Sequence, residues 1–208
     1  MESTVNTLLV EAFGSSLSTA PPPVLTGGLT LSRVPQTKAV AELVRACMRC
    51  DAPTAWSILT HYPQLLDSPP DELKHLPVAA TIAGKADCVR LMALLGFELR
   101  WEALHGGTAL HHAARYGNVQ MVRLLLELGS PVNTRDCTTG CSPLGWAAGG
   151  SRYCRPGADE EYCIVIRLLL AAGATRTPSI NRWNEPPEAL ASRRVRALFK
   201  TLRFIPTI

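Results

Sequence analysis

A segment of about 33 residues recurs along this chain, and a repeat of that length restricts the fold more than any single motif does. The clearest copy, TALHHAARYGNVQMVRLLLELGSPVN, runs from Thr108 to Asn133. A shift of 33 residues back aligns HLPVAATIAGKADCVRLMALLGFEL, from His75 to Leu99. Gly84 then falls on Gly117, Val89 on Val122, Arg90 on Arg123, Leu91 on Leu124, Leu95 on Leu128 and Gly96 on Gly129. A shift of 34 forward brings SPLGWAA, opening at Ser142; after a net insertion of ten residues, CIVIRLLLAAGA (Cys163–Ala174) repeats the second half. Weaker copies flank these: LVRACMRCD with AWSILTHYP before, and EPPEALAS with RRVRALF after.

Each copy reads as two short helices. Thr108 suits the N-cap of the first, since its hydroxyl can accept from a free backbone N–H. Ala113 and Ala114 keep that helix slim, so neighbours can approach closely. Gly117 and Gly129 permit the left-handed turns that end the first and second helices. Val122, Leu124, Leu125 and Leu126 line the second helix on one side. One such unit cannot bury its own apolar face, but several stacked units share a continuous core.

The opening TALHHAARYGN resembles the T-P-L-H-x-A-A-x-x-G-N motif of the ankyrin-repeat family, with Ala109 in place of the usual Pro. SPLGWAA resembles it too, with Gly145 where the family has His. The resemblance covers roughly residues 38–198 and implies an all-α ankyrin solenoid of about four repeats plus a partial C-terminal cap. The expected organisation is a flexible lead-in over 1–37, rich in Ser, Thr, Pro and Gly. Repeats follow over about 38–71, 72–104, 105–135 and 136–176, with the cap over 177–198 and a tail over 199–208. Segments such as Pro131–Gly140 are expected to project as hairpin-like fingers.

The resemblance also implies function: a binding module for another protein, working through the finger tips and the exposed faces of the first helices. In this register those surfaces carry Trp101, Glu102, His112, Arg115, Tyr116, Arg135, Thr138 and Trp146. His111 falls where the family uses a histidine to bond neighbouring loops. The insertion GGSRYCRPGADEEY, between the helices of the fourth copy, adds Arg152, Tyr153 and Arg155, and Arg and Tyr are favoured at binding hot spots. Read as a loop, it either offers a binding surface or is a solvated connection whose Asp159-Glu160-Glu161 end caps the next helix.

Charge narrows the class of partner. The net charge is +4, and residues 177–208 alone hold six basic and two acidic residues, so the remainder is neutral. A neutral repeat body argues against a nucleic-acid groove along it. No nucleophile elbow, phosphate-cradling Gly loop or H-E-x-x-H motif occurs, so no enzyme activity, cofactor or small-molecule substrate is expected. No apolar run is long enough to span a bilayer, and no basic leader opens the chain. Seven cysteines in no regular framework fit reduced thiols in the cytoplasm. Cys47-Met48-Arg49-Cys50 reads as small packing residues, with Cys50 at the position of the turn glycine.

Two other readings stay open. Cys137, Cys141, Cys154 and Cys163 all belong to the fourth copy and could serve a metal-binding or thiol-dependent regulator, although no tight knuckle spacing occurs. The basic residues Arg193, Arg194, Arg196, Lys200 and Arg203 alternate with Val195, Leu198, Phe199, Leu202 and Phe204. That pattern describes either a capping helix with a solvated outer face or a membrane or nucleic-acid adaptor.

Overall fold

The structure, a computed structural model, describes residues 36–103, 106–175 and 181–202. The expected lead-in therefore lies outside the described residues except for Gln36 and Thr37. Every regular element among the described residues is helical, and none is long and apolar enough to cross a membrane. By their contacts the residues form two compact units: residues 36–80 with 85–98, and residues 99–202 with the short stretch 81–84.

The first unit is built on α1 (Gln36–Arg49), which packs against α2 (Ala52–His61), α4 (Asp71–Lys74) and α6 (Ala86–Leu94). A short α3 (Gln64–Asp67) lies between α2 and α4, and α5 (Leu76–Ile82) precedes α6. Ala39, Leu43, Ala46 and Cys47 put the apolar stripe of α1 into the core of this unit, in which Ile58, Leu65, Leu73, Val89 and Met92 are also buried. Full burial of each Leu or Ile contributes about 1.5–3 kcal/mol. Cys50 adopts φ 57, the left-handed conformation, so it does occupy a glycine's place. Its N–H and that of Asp51 close the helix on Cys47 O and Ala46 O. The Asp51 carboxylate then caps α2 by accepting from Thr54 N at 3.2 Å. Burial pushes the Cys47 thiol up to about 12, so it is an inert core residue rather than a redox nucleophile.

The second unit stacks three helical pairs. α7 (Ala109–Arg115) and α8 (Val119–Glu127) are followed by α9 (Pro143–Tyr153) and α10 (Asp159–Ala171), then α11 (Pro187–Leu190) and α12 (Arg193–Leu202). One row runs α7, α9, α11, and the other runs α8, α10, α12. Both rows close over Leu110, Ala114, Val122, Leu125, Leu144, Ala148, Val165, Ile166 and Leu169. Val195, Leu198 and Phe199 turn the apolar stripe of α12 inward, and their basic neighbours face out. α12 continues four residues past position 198, while 203–208 lie outside the described residues.

The insertion in the fourth copy is not a loop. The first helix grows from seven residues in α7 to eleven in α9, and the second from nine in α8 to thirteen in α10. The connection between them grows only from residues 116–118 to 154–158. Gly157 takes the turn-glycine role there, at φ 94. The lengthened ends are bound in place. Tyr162 is fully buried and its hydroxyl donates to Arg115 O at 2.7 Å, with its ring lying against Gly117. Ser151 is buried and accepts from Ser192 N at 3.0 Å, which ties α9 to the last pair.

Candidate functional site

The site begins with one buried histidine. Nδ1 of His111 accepts from the backbone N–H of Thr108 at 3.0 Å, and an N–H can only donate. Nε2 must therefore carry the proton, and it donates to Cys141 O at 3.1 Å. A single neutral imidazole thus closes the start of α7 and grips the finger ahead of α9. Burial pushes its pKa down from 6.5 to about 4. Between pH 6.5 and about 4 the unfolded chain takes up this proton and the folded one does not. Stability is full above about 6.5 and falls as pH drops toward 4, by about 3 kcal/mol over the window. Urea unfolding across pH 7 to 4 is expected to give that slope, and His111→Gln is expected to flatten it. An unchanged slope in the variant places the titration elsewhere.

The finger gripped by His111 is organised by Asp136, which is buried. Its carboxylate accepts from the N–H and hydroxyl of Thr138, at 2.9 and 2.6 Å, and from the N–H and hydroxyl of Thr139. It also accepts from Cys141 N and Trp146 Nε1, each at 2.9 Å. Burial pushes the carboxyl up, but the donors from Thr138, Thr139 and Trp146 outweigh it and hold the pKa below the usual carboxylate range. Trp146 is thereby fixed in orientation on α9. His111 and His112 meet its ring edge-on, at centroid distances of 5.3 and 5.1 Å, and the Arg115 guanidinium lies 5.3 Å from its centroid.

A second finger docks beside the first. Asn181 Oδ1 accepts from Trp183 N at 3.0 Å and Glu185 N at 2.8 Å, and Asn184 takes φ 62 to close the turn. Arg182 N donates to Thr139 O at 2.8 Å, and its Nη2 donates to Cys137 O at 3.0 Å. Between the two fingers and α9 opens a cleft of about 290 Å³. Its floor is Trp146, Gly145 and Gly149, and its rim carries Arg115, Tyr153 and Trp183. Tyr153 and Trp183 are 66% and 63% exposed, a large apolar area to leave in water.

Of the residues expected at a binding surface, the structure gathers Arg115, Thr138, Trp146 and Tyr153 around this cleft. His112 lies behind Trp146, half-buried, with Nε2 3.3 Å from Gly106 O. Glu102 and Arg135 brace the first finger: Glu102 Oε2 accepts from Cys137 N at 3.1 Å, and Arg135 Nη1 donates to Gly140 O at 3.2 Å. Arg155, in the turn linking α9 to α10, donates to the backbone O of Tyr116, in the turn linking α7 to α8, at 3.0 Å, and neither residue lines the cleft. Arg152 faces away from it, its guanidinium 5.1 Å from the Tyr153 ring. Trp101 stands apart, beside Arg100. Sequence reasoning missed Trp183, Asn181 and Glu185. The readable signal was N-x-W-N-E, an Asn-led turn displaying an aromatic.

The fourth-copy cysteines do not form a metal centre among the described residues, where no three His, Cys, Asp or Glu groups gather to hold an ion. Cys141 is buried, Cys154 Sγ accepts from Arg115 Nε at 3.2 Å, and Cys163 stands within α10. The Glu102 carboxylate raises the Cys137 thiol pKa, and burial raises those of Cys141 and Cys163.

Stacked helical hairpins with protruding fingers define the class: a tandem-repeat scaffold. A profile of ankyrin repeats in three copies matches residues 75–156, so this stretch of the chain carries ankyrin repeats. It is 36% identical over 114 residues to Protein PhlB of Serratia liquefaciens, a match covering 55% of this chain and 45% of that protein. It is 38% identical over 78 residues to Inversin-B of Xenopus laevis, a match covering 38% of this chain and 7% of that one. The aligned stretch thus spans less than half the length of either relative.

Proposed function

We propose that this chain is a non-enzymatic protein-interaction module whose partner docks in the cleft between the two fingers and α9. Ankyrin repeats are, as a class, modules for binding proteins. The observation that carries the finer reading is the pair of exposed aromatics, Tyr153 and Trp183, that line the cleft together with Trp146, which Asp136 and His111 hold in place. Aromatic rings on a fixed framework lose little conformational freedom on binding, and they dominate interface energetics. The open floor at Gly149, where an added Cβ would meet nothing within 4 Å, leaves room for a partner side chain.

The test is site-specific crosslinking in lysate of the native host, with a photoreactive phenylalanine analogue replacing Trp183 or Tyr153. A single protein species captured from both positions, and not from the exposed Ile164 of α10, is the expected result. Capture must also fall when the opposite aromatic is changed to alanine. Equal capture from position 164, or none from the cleft, rejects the assignment of the site.

A further inference from the structure

A second pocket, of about 400 Å³, opens on the other side of α9, where that helix meets the start of α10 and the turn from α11 to α12. Its charged lining is Arg152, Arg193, Arg196 and Asp159. Neighbouring arginines are neutralised: Arg194 pairs with Glu160 at 2.9 Å, and Arg155 lies 3.9 Å from Glu161. The arginines of the pocket are not. Arg193 has no polar or ionic partner among the described residues, and Arg152 only stacks on Tyr153.

Arg196 is held differently. Its Nε donates to Glu188 O at 3.0 Å, and its Nη2 donates to Ala189 O at 3.1 Å and Ala191 O at 3.2 Å. Three backbone carbonyls fix the guanidinium without cancelling its charge, and both hydrogens of Nη1 remain to donate. The single carboxylate, Asp159, accepts from the Ser192 hydroxyl, which fixes its place in the lining. Three positive groups and one negative leave two positive charges on the walls. The first turn of α12, capped by Ser192 accepting from Val195 N, adds its positive end to the same space.

We propose that this pocket binds a phosphate monoester carried on a side chain of the partner protein. This rests on reading the chain as an interaction module, and it adds a chemical identity to one contact of that partner. A phosphate monoester is close to a dianion at neutral pH and offers three acceptor oxygens, matching two net charges and fork-shaped guanidinium donors. A carboxylate fills neither the charge nor the volume. A polyanion such as a nucleic acid or an anionic membrane fits less well, because the flanking Arg194 and Arg155 are already paired with Glu160 and Glu161 and extend no net positive surface beyond the pocket.

The probe is a short neutral fluorescent peptide holding one phosphoserine, titrated against the full chain at low salt and read by anisotropy. Saturable binding is expected, at least about tenfold tighter than for the same peptide with serine or glutamate. The double change Arg152→Ala with Arg193→Ala is expected to weaken it at least about tenfold while leaving the melting temperature unchanged, since both side chains are exposed. Trp183→Ala is expected to leave phosphopeptide binding intact. Failure here with cleft crosslinking intact removes only the phosphate site, whereas loss of both removes the interaction reading. Undiminished binding by the double variant overturns the proposal. So does tighter binding to phosphatidylserine vesicles or a DNA duplex that the double variant abolishes.

Discussion

Gly150→Ala is expected to destabilise the protein by about 3 kcal/mol or more, while Gly149→Ala, one residue earlier in the same helix, is expected to stabilise it by up to about 1 kcal/mol. A Cβ at Gly150 would lie 2.1 Å from Arg115 O, 3.0 Å from Arg115 C and 3.0 Å from Tyr162 Cε1. The first two are backbone atoms at the end of α7, and the oxygen already accepts from the Tyr162 hydroxyl. Nothing there can rotate aside, so α9 must move off α7 and strip that bond. A Cβ at Gly149 meets nothing within 4 Å, and alanine then adds helix propensity alone. Urea unfolding of the two single variants checks the pair. A Gly150→Ala protein within about 1 kcal/mol of the wild type overturns the close-approach account.

Those two glycines also mark where the sequence was hardest to read. Gly149-Gly150-Ser151 has loop composition, and the insertion they open was accordingly expected to be a loop. In the fold all three are helical, because a glycine is needed where one helix backbone nearly touches another, and Ser151 is buried to bond Ser192. Local propensity points to a turn, whereas tertiary approach decides the outcome. Tyr162 carries the same lesson. It closes the apparent insertion in sequence, yet it is fully buried and fills the space that Gly117 and Gly150 leave open.

The repeat register itself was legible because its signals are local. Gly84, Gly96, Gly117, Gly129 and Gly173 all adopt positive φ at the aligned positions, and Cys50 does so in a glycine's place. The bonding role of His111 followed from that register too. The cleft did not. Arg115, Thr138, Trp146 and Tyr153 could be named from exposed-face positions, but Trp183 belongs to a finger that precedes only a four-residue helix, α11, and has weak repeat character. Its value lies in which finger it docks against, which is a long-range fact.

Asp136→Ala is the second change with a large expected effect, about 3 kcal/mol or more, and it joins stability to the site. Removing the carboxylate leaves four N–H donors, from Thr138, Thr139, Cys141 and Trp146, without the acceptor that fixes them. Asp136 is 2% exposed, so water replaces that acceptor poorly. Asp136→Asn separates acceptor chemistry from volume. One amide oxygen can still serve one side of the network, but its NH₂ must face donors on the other, from Thr139, Cys141 and Trp146 if the oxygen serves Thr138. The asparagine variant is therefore expected to lose most of what the alanine variant loses, despite equal size. Both should shift the tryptophan fluorescence, as Trp146 is released from its bond, and both should lower crosslinking from position 183, because Thr138, Thr139 and Trp146 line the cleft. If Asp136→Asn unfolds at the wild-type urea concentration with unchanged fluorescence, the carboxylate is not what orders the finger. The rigidity on which the proposed docking site depends must then come from His111 alone.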